Sequence, residues 1–255
     1  DHRPDLKQVV LELMVSQDGG IPLLMKCWSG NTDDNSIFQY RAKELIEAWK
    51  DAESPRYLIM DSKGYTQKNA INLKSLNFIT RIPETNAPAK VAIRDALKQD
   101  KWVTWDEKRK YTCFEIEHYG IRQRWIVVFS EAALNRSEAT VEKASVKEKT
   151  GIDKALYHLH AQGFKSETEA LGALKKLCKP WKYHVLQEVE IEAHKKYLNK
   201  GRPGKNSPFE LEHKIKCKVE KNLEQIDQIV KEKACFIIGS NISQLELEDL
   251  EVLQA

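Results

Sequence analysis

The chain has 255 residues, 41% hydrophobic and 31% charged, so it has enough apolar content for a core and is too polar for a membrane-embedded protein. No apolar run approaches the length of a membrane-spanning helix, and no charged-then-apolar leader follows Asp1. The formal net charge of +3 does not by itself announce a nucleic-acid partner, because DNA binders concentrate positive charge on one face.

The opening Asp1-His2-Arg3-Pro4 leads us to expect an excerpt of a longer protein. Val9 to Val15 is apolar apart from Glu12, and Ile21 to Met25 is apolar again after Asp18-Gly19-Gly20. Two such runs around a Gly turn predict a β-hairpin. Their continuity predicts cover on both faces. Asp34, Asn35 and Ser36 are helix-start residues. Phe38, Ala42, Leu45 and Trp49, with Ile37 and Ile46 beside them, follow at helical spacing until Pro55. Tyr57-Leu58-Ile59-Met60 predicts a short buried strand ending on Asp61. Thr66 to Leu76 predicts a helix, and Phe78-Ile79-Thr80 a strand ending on Arg81 before Pro83. This alternation is that of an α/β layer with parallel crossovers.

The pattern then changes. Trp102 to Thr104, Thr112 to Tyr119 and Arg122 to Ser130 are strand-like, with a turn at Tyr119-Gly120. Residues 131–178 read as helical, with a break at Gly163. Tyr183 to Ile191 and Glu210 to Val219 alternate as half-exposed antiparallel strands do. Asn222 to Lys231 predicts a helix, Cys235 to Ile238 a buried strand, and Leu245 to Leu253 the start of another helix. Leu245, Leu247, Leu250 and Leu253 form one face of that helix, read as core packing. The expected architecture is one α/β domain interrupted by an insertion: residues 1–85, then an insertion over 86–232, then a return strand and helix over 233–255.

Charge is segregated along the chain. Residues 195–221 hold nine Lys/Arg against Glu210, Glu212 and Glu220, whereas residues 243–255 hold four acids and no base. The loop Lys200-Gly201-Arg202-Pro203-Gly204-Lys205 resembles hooks that place an arginine in a narrow minor groove. It reads equally as a solvated hairpin loop. Asp61, directly after a strand, is where an open α/β sheet binds ligands, and a carboxylate there suits a hard cation such as Mg²⁺. By position alone it also reads as a turn or capping Asp before Ser62-Lys63-Gly64. Arg81 ends the neighbouring strand, placed either to meet a phosphate or to form an ordinary surface ion pair. The five cysteines, Cys27, Cys113, Cys178, Cys217 and Cys235, are odd in number and show no CxxC spacing, so reduced thiols are expected. His158 and His160 point apart on a helix and read as surface or packing residues. No HExxH, Walker loop, GxGxxG or GxSxG is present.

Several stretches taken in order carry a family resemblance. They are residues 1–8, Val15 to Leu23, Trp28 to Asn31, Ile59-Met60-Asp61-Ser62, Phe78 to Thr85, and Phe236-Ile237-Ile238-Gly239-Ser240-Asn241. Together they resemble the DDE transposases of bacterial insertion sequences, in the insertion-sequence-four superfamily with a β-rich insertion. The resemblance implies an α/β fold: an incomplete RNase-H-like mixed sheet with flanking helices, interrupted by a β-rich and helical insertion. It implies DNA binding, cleavage and strand transfer at transposon ends. Three carboxylates of the intact enzyme would hold Mg²⁺ or Mn²⁺ for phosphodiester chemistry.

Asp61 matches the family's second Asp, as catalytic residue and metal ligand. The first Asp would precede Asp1 and the Glu would follow Ala255, so this chain alone is expected to be inactive and to bind no metal stably. Arg81, Lys200, Arg202 and Lys205 are the expected DNA contacts. The implied partners are double-stranded terminal inverted repeats and a second copy in the synaptic complex, with no membrane, and the implied location is the cytoplasm, with the nucleoid. The competing expectations are a non-catalytic DNA-binding remnant and a helical interaction module on residues 131–178. The second leaves Asp61 and the strand–helix order unexplained.

Overall fold

The computed structural model describes residues 7–16, 19–33, 36–37, 40–41, 44, 47, 57–69, 74–198, 204 and 207–255. They divide into two units, residues 1–130 with 235–255, and residues 131–234. The chain thus leaves its first unit at Ser130 and re-enters it at Cys235, where the sequence reading placed the boundaries after residues 85 and 232.

The first unit carries a six-stranded mixed sheet. Its order is β3 (Leu58–Met60), β4 (Phe78–Ile82), β10 (Cys235–Ser240), β7 (Ile121–Ser130), β6 (Arg109–His118) and β5 (Val103–Asp106). Only β3 and β4 run parallel, with Leu58 opposite Phe78 and Met60 opposite Thr80. The other neighbours are antiparallel, so the expected parallel crossover accounts for one edge of the sheet only. β7 lies inside the sheet and is buried on both faces. Ile121, Trp125 and Val127 join one core with Phe78, Ile82 and Ile237; Ile126 and Val128 join the other with Ile79, Tyr111 and Ile242. Truncating the fully buried Trp125 to Ala would cost about 3–5 kcal/mol.

A helix covers each face. Helix α1 (Ala87–Gln99) sets Ala89, Ala92, Ile93 and Ala96 on the first core and ends on Asp100 in the left-handed region, φ 51°. The sequence reading named no helix here. Three of its four buried residues are alanines, which give a weak periodic signal although they favour helix most. Helix α5 (Asp249–Gln254) places Val252 on the second core. It was expected to begin at Leu245. Glu248 and Glu251 form a reciprocal capping box that starts it four residues later, leaving Leu245 fully exposed. The start of α5 is tied to β7 by Arg124, whose side chain is 2% exposed. Its Nη1 is 2.9 Å from Asp249 Oδ1, and Nη2 donates to Leu247 O at 2.6 Å. The Nη1–Oδ1 approach is a close charge contact rather than an aligned hydrogen bond.

Two expectations of burial fail. β3 was expected to be buried, but among the described residues it is an edge strand with one neighbour, and Ile59 is exposed. The hairpin β1 (Val9–Val15) and β2 (Pro22–Ser29) forms as expected, as a separate two-stranded sheet. Its faces are not both covered. Val9, Leu11, Leu13, Val15, Leu23, Met25 and Cys27 are all exposed, whereas Glu12 and Trp28 are half-buried. On that inner face Glu12 accepts hydrogen bonds from Trp28 Nε1 at 2.8 Å and Arg41 Nε at 2.6 Å, and these donors hold its carboxyl below the ordinary range despite burial. Glu12 and Trp28 share that inner face with the half-buried Val10, Met14 and Leu24, so the alternate apolar residues of each run point outward. Gly30 closes the hairpin base: a Cβ there would lie 2.5 Å from Gln8 O, which only glycine avoids.

The predicted helices after Asp34 and Thr66 are described in part. Residues 36–37, 40–41, 44 and 47 are helical, as are 67–69; Thr66 and residues 74–76, expected within the second helix, are not helical, 74–76 forming a turn and a bend, while 70–73, most of the first helix, the caps Asp34 and Asn35 and the break at Pro55 lie outside the described residues.

The second unit contains α2 (Glu131–Ala161), α3 (Glu167–Cys178), β8 (His184–Tyr197), β9 (Phe209–Lys221) and α4 (Leu223–Lys233). β8 and β9 form an antiparallel ribbon. Ile152, Leu156 and Leu159 of α2, Ala170 and Leu174 of α3, Ile215 of β9, and Phe164 from the segment between the two helices make its core. Phe164 and His213 exchange amide hydrogen bonds at 2.9 and 2.8 Å, pinning the segment between α2 and α3 to the ribbon. Gly163 passes so close that a Cβ would lie 1.9 Å from the Glu212 carboxyl. Ser166 caps α3 by accepting from Glu169 N at 3.2 Å.

Candidate functional site

Asp61 follows β3 directly and lies at the carboxyl end of the parallel pair. Met60 is opposite Thr80, so the next residues along the two strands are Asp61 and Arg81. The Asp61 side chain is exposed, and one of its oxygens accepts from Lys63 N at 2.9 Å, which caps the 3₁₀ turn Ser62–Gly64. Its backbone carbonyl accepts from Thr80 Oγ1 at 3.1 Å. The capping role that position alone suggested is thus met, and the carboxylate still faces solvent. Arg81 is exposed on β4, 3.3 Å from Glu84, with its guanidinium 5.3 Å from the centre of the Phe236 ring. The sequence reading therefore placed Asp61 and Arg81 correctly on adjacent strands at one end of the sheet.

The turn after Asp61 is anchored by residues that the sequence reading did not single out. Tyr65 is buried, and its hydroxyl lies 2.9 Å from Gln123 Oε1 and 2.6 Å from His118 Nδ1. The Gln123 amide is oriented by Nε2 donating to His118 O at 3.0 Å and by Oε1 accepting from Trp125 Nε1 at 3.0 Å. Gln123 Oε1 can only accept, so the Tyr65 proton goes there. His118 Nδ1 must then donate to the Tyr65 oxygen, which assigns the neutral imidazole proton to Nδ1 and leaves Nε2 as the acceptor. Burial pushes the Tyr65 hydroxyl well above its ordinary pKa and the His118 imidazole below its own. The Tyr119 ring packs on His118 with centroids 3.8 Å apart. Tyr119 and Gly120 both take positive φ, 55° and 69°, as the two-residue turn joining β6 to β7 requires. These five side chains fix the Asp61–Tyr65 turn against β6 and β7.

A hard divalent cation takes about six oxygen ligands. Among the described residues no three His, Cys, Asp or Glu side chains form a group able to hold an ion. One Asp61 oxygen is already engaged by Lys63. The residues described do not make a divalent-ion site. The five cysteines are unpaired with one another; Cys217 lies 3.6 Å from His160 Nε2 inside the second unit.

The basic region behaves unevenly. Lys196 pairs with Glu212 at 3.1 Å, Lys216 with Glu192 at 2.7 Å and Lys221 with Glu142 at 2.8 Å; Lys218 pairs with Glu188. Such exposed pairs contribute little stability, but they neutralise charge along the body of the ribbon. Along the sequence the excess of base lies in residues 195–209, which contain five Lys/Arg, Lys196 among them, and no Asp or Glu. Lys200, Arg202 and Lys205, the sequence-predicted hook, lie outside the described residues. Tyr197 and Phe209, which flank that loop and pair across the ribbon, were not singled out by sequence; their signal was their symmetric placement around the loop.

No family model matches the chain, and no curated protein or solved structure matches it either.

Proposed function

We propose that the chain is part of an insertion-sequence DDE transposase, its first unit an RNase-H-like piece and its second unit the insertion that meets transposon-end DNA. The observation that carries this reading is Asp61: an exposed carboxylate at the carboxyl end of a parallel strand pair, beside Arg81, on a turn held rigid from below. Active-site carboxylates of α/β sheets occupy this position. The acid-free stretch 195–209 supports the DNA half of the reading.

On this proposal the chain by itself binds duplex DNA through Lys200, Arg202 and Lys205 and does not cut it. A single carboxylate does not hold two divalent ions at useful affinity. Fluorescence anisotropy with a labelled duplex measures the first part. Affinity is expected to fall steeply between low and physiological salt, because each phosphate contact releases counterions. Replacing Lys200, Arg202 and Lys205 by Ala is expected to flatten that slope by roughly one unit per residue. Salt-insensitive binding, or an unaltered slope in the triple variant, removes the DNA assignment. Mg²⁺-dependent nicking by the 255-residue chain, abolished by Asp61→Ala, would show that the chain is catalytic.

A further inference from the structure

The β8–β9 ribbon has two outer edges, and they differ. Phe164 and His213 exchange amide hydrogen bonds, so the backbone polar groups of His213 point away from β8 and the outer edge of β9 is taken at that point. Ala193 stands opposite His213. In an antiparallel pair, opposite residues either bond each other or both turn away. The N–H and C=O of Ala193 therefore point out of the ribbon, and by the period of two so do those of Ile191, Lys195 and Tyr197. The register is unbroken from Glu190 to Tyr197, beyond a bulge in which Glu188 takes φ 48°. Among the described residues none bonds the backbone of this edge, and residues 193–197 are exposed. An open edge of this kind is a template for another strand. Its charges are also ordered. Along one face β8 carries Glu190, Glu192, His194 and Lys196, acid first and base last, and β9 stands opposite with Lys216, Lys214, Glu212 and Glu210.

We propose that the outer edge of β8 pairs antiparallel with the same edge of a second copy of this chain, about a two-fold axis at Ala193, to make a four-stranded sheet. A two-fold interface needs a patch complementary to itself, and an acid-to-base order along one strand is such a patch. In this register Glu190 faces the partner's Lys196, and Glu192 faces the partner's His194. Across the four strands one row reads Lys216, Glu190, the partner's Lys196 and the partner's Glu210, with the sign changing at every step. The next row reads Lys214, Glu192, the partner's His194 and the partner's Glu212. Opposite charges facing across strands stabilise a sheet, and like charges destabilise it. Moving the axis by one residue sets Glu192 or His194 against its own copy. Parallel in-register pairing sets every charge against itself. Lysine on an edge strand ordinarily repels another strand, but here Lys196 meets Glu190. The pairs Lys196–Glu212 and Lys216–Glu192 within the chain are exposed and cost little to share. Such an interface buries a small area, so the dimer is a weak, reversible one. No DNA takes part in it, and it stands or falls apart from the DNA reading.

The test is sedimentation of the whole chain, without DNA, over concentrations from low micromolar to near-millimolar. We expect a reversible monomer–dimer equilibrium. Glu190→Lys and Lys196→Glu each set like charges against one another on both sides of the axis, and each should weaken dimerisation roughly fivefold or more. An equimolar mixture of the two variants restores both opposite-charge pairs and should dimerise within about twofold of the parent. Ala193→Pro removes an N–H that faces solvent in the monomer, so the ribbon should fold and the dimer be lost. If that variant unfolds, the charge-reversed mixture decides. With exposed Cys27 replaced by Ser and oxidised glutathione as the oxidant, Ala193→Cys should cross-link two chains faster than Lys218→Cys does. The axis holds the two Ala193 Cα atoms about 5.5 Å apart, within reach of a disulfide. A chain that stays monomeric throughout, a mixture no tighter than its components, or equal cross-linking at the two positions overturns the proposal. A dimer that neither charge variant weakens overturns it in favour of another surface.

Discussion

Tyr65 Oη and Gln123 Oε1 meet at 2.9 Å, joining the turn after Asp61 to the central strand β7. This bond sits in a closed chain in which the His118, Gln123, Trp125 and Tyr65 donors each have an acceptor. Tyr65→Phe opens the chain and leaves His118 Nδ1 with no acceptor in a largely dry site. We expect a loss of about 1–3 kcal/mol in urea unfolding. Because the turn carries Asp61, the variant should also speed hydrogen exchange of the Lys63 amide, which now donates to the Asp61 carboxylate. Unchanged protection at Lys63 would separate the Tyr65 network from the turn.

His118 gives the first unit a pH dependence whose sign follows from burial. Burial holds its pKa below the ordinary 6.5, so the unfolded chain takes up a proton before the folded one does. The contribution is fully present above pH 6.5 and is lost as pH falls through the lower, folded value. In stability measurements stepped down from neutral pH, His118→Asn is expected to flatten the decline just below 6.5, since its amide replaces the Nδ1 donor without titrating. An unchanged decline would assign that pH dependence elsewhere.

Glu148 plays a comparable part in the second unit. Its carboxylate accepts from Lys182 N at 2.8 Å, Tyr183 N at 2.9 Å and His184 Nδ1 at 2.9 Å, closing α2 onto the start of β8. Burial works against its ionisation, but the His184 bond and the two amides outweigh burial and lower its pKa from 4.5. Its stabilisation is therefore present above about pH 4.5 and fades as pH falls through the folded value. Glu148→Ala leaves three donors without this acceptor and should cost about 2 kcal/mol or more at pH 7. Glu148→Gln should recover part of that loss and remove the acid sensitivity, as read by denaturation at neutral and acid pH.

The outward face of the first hairpin tolerates polarity. Leu11 and Leu13 are 55% and 54% exposed, so Leu11→Thr with Leu13→Thr removes little buried area. We expect a stability change within about 0.5 kcal/mol per site and less binding of a hydrophobic dye, because the contiguous apolar patch is broken. A cooperative loss of several kcal/mol would mean that this face is covered in solution.

Much of this architecture was written locally. The Tyr119-Gly120 turn, the break at Gly163, the strand Cys235 to Ile238 and the alternating ribbon all follow from neighbours along the chain, and all appear where those neighbours put them. Asp61 and Arg81 were legible for the same reason, each standing at the end of a recognisable strand. The misses are non-local. Nothing near Glu12 announces that Arg41, 29 residues on, will draw it inward and turn Leu11 and Leu13 out. Nothing near Tyr65 announces Gln123, 58 residues on. Helix α1 escaped because alanine marks a buried face faintly.

The position of β10 also sets an order of events during synthesis. Cys235–Ser240 lies between β4 and β7, so those two strands have no direct bonds to one another. While residues 131–234 are being made, β3–β4 and β5–β7 can exist only as separate halves, each with an open hydrogen-bonding edge. The second unit, contiguous in sequence, has all its partners before the first does. A ribosome-bound chain that has passed Ala234 but not released Ser240 would present two unsatisfied strand edges while the second unit is already complete. That interval is when this chain is most exposed to pairing with another copy of itself.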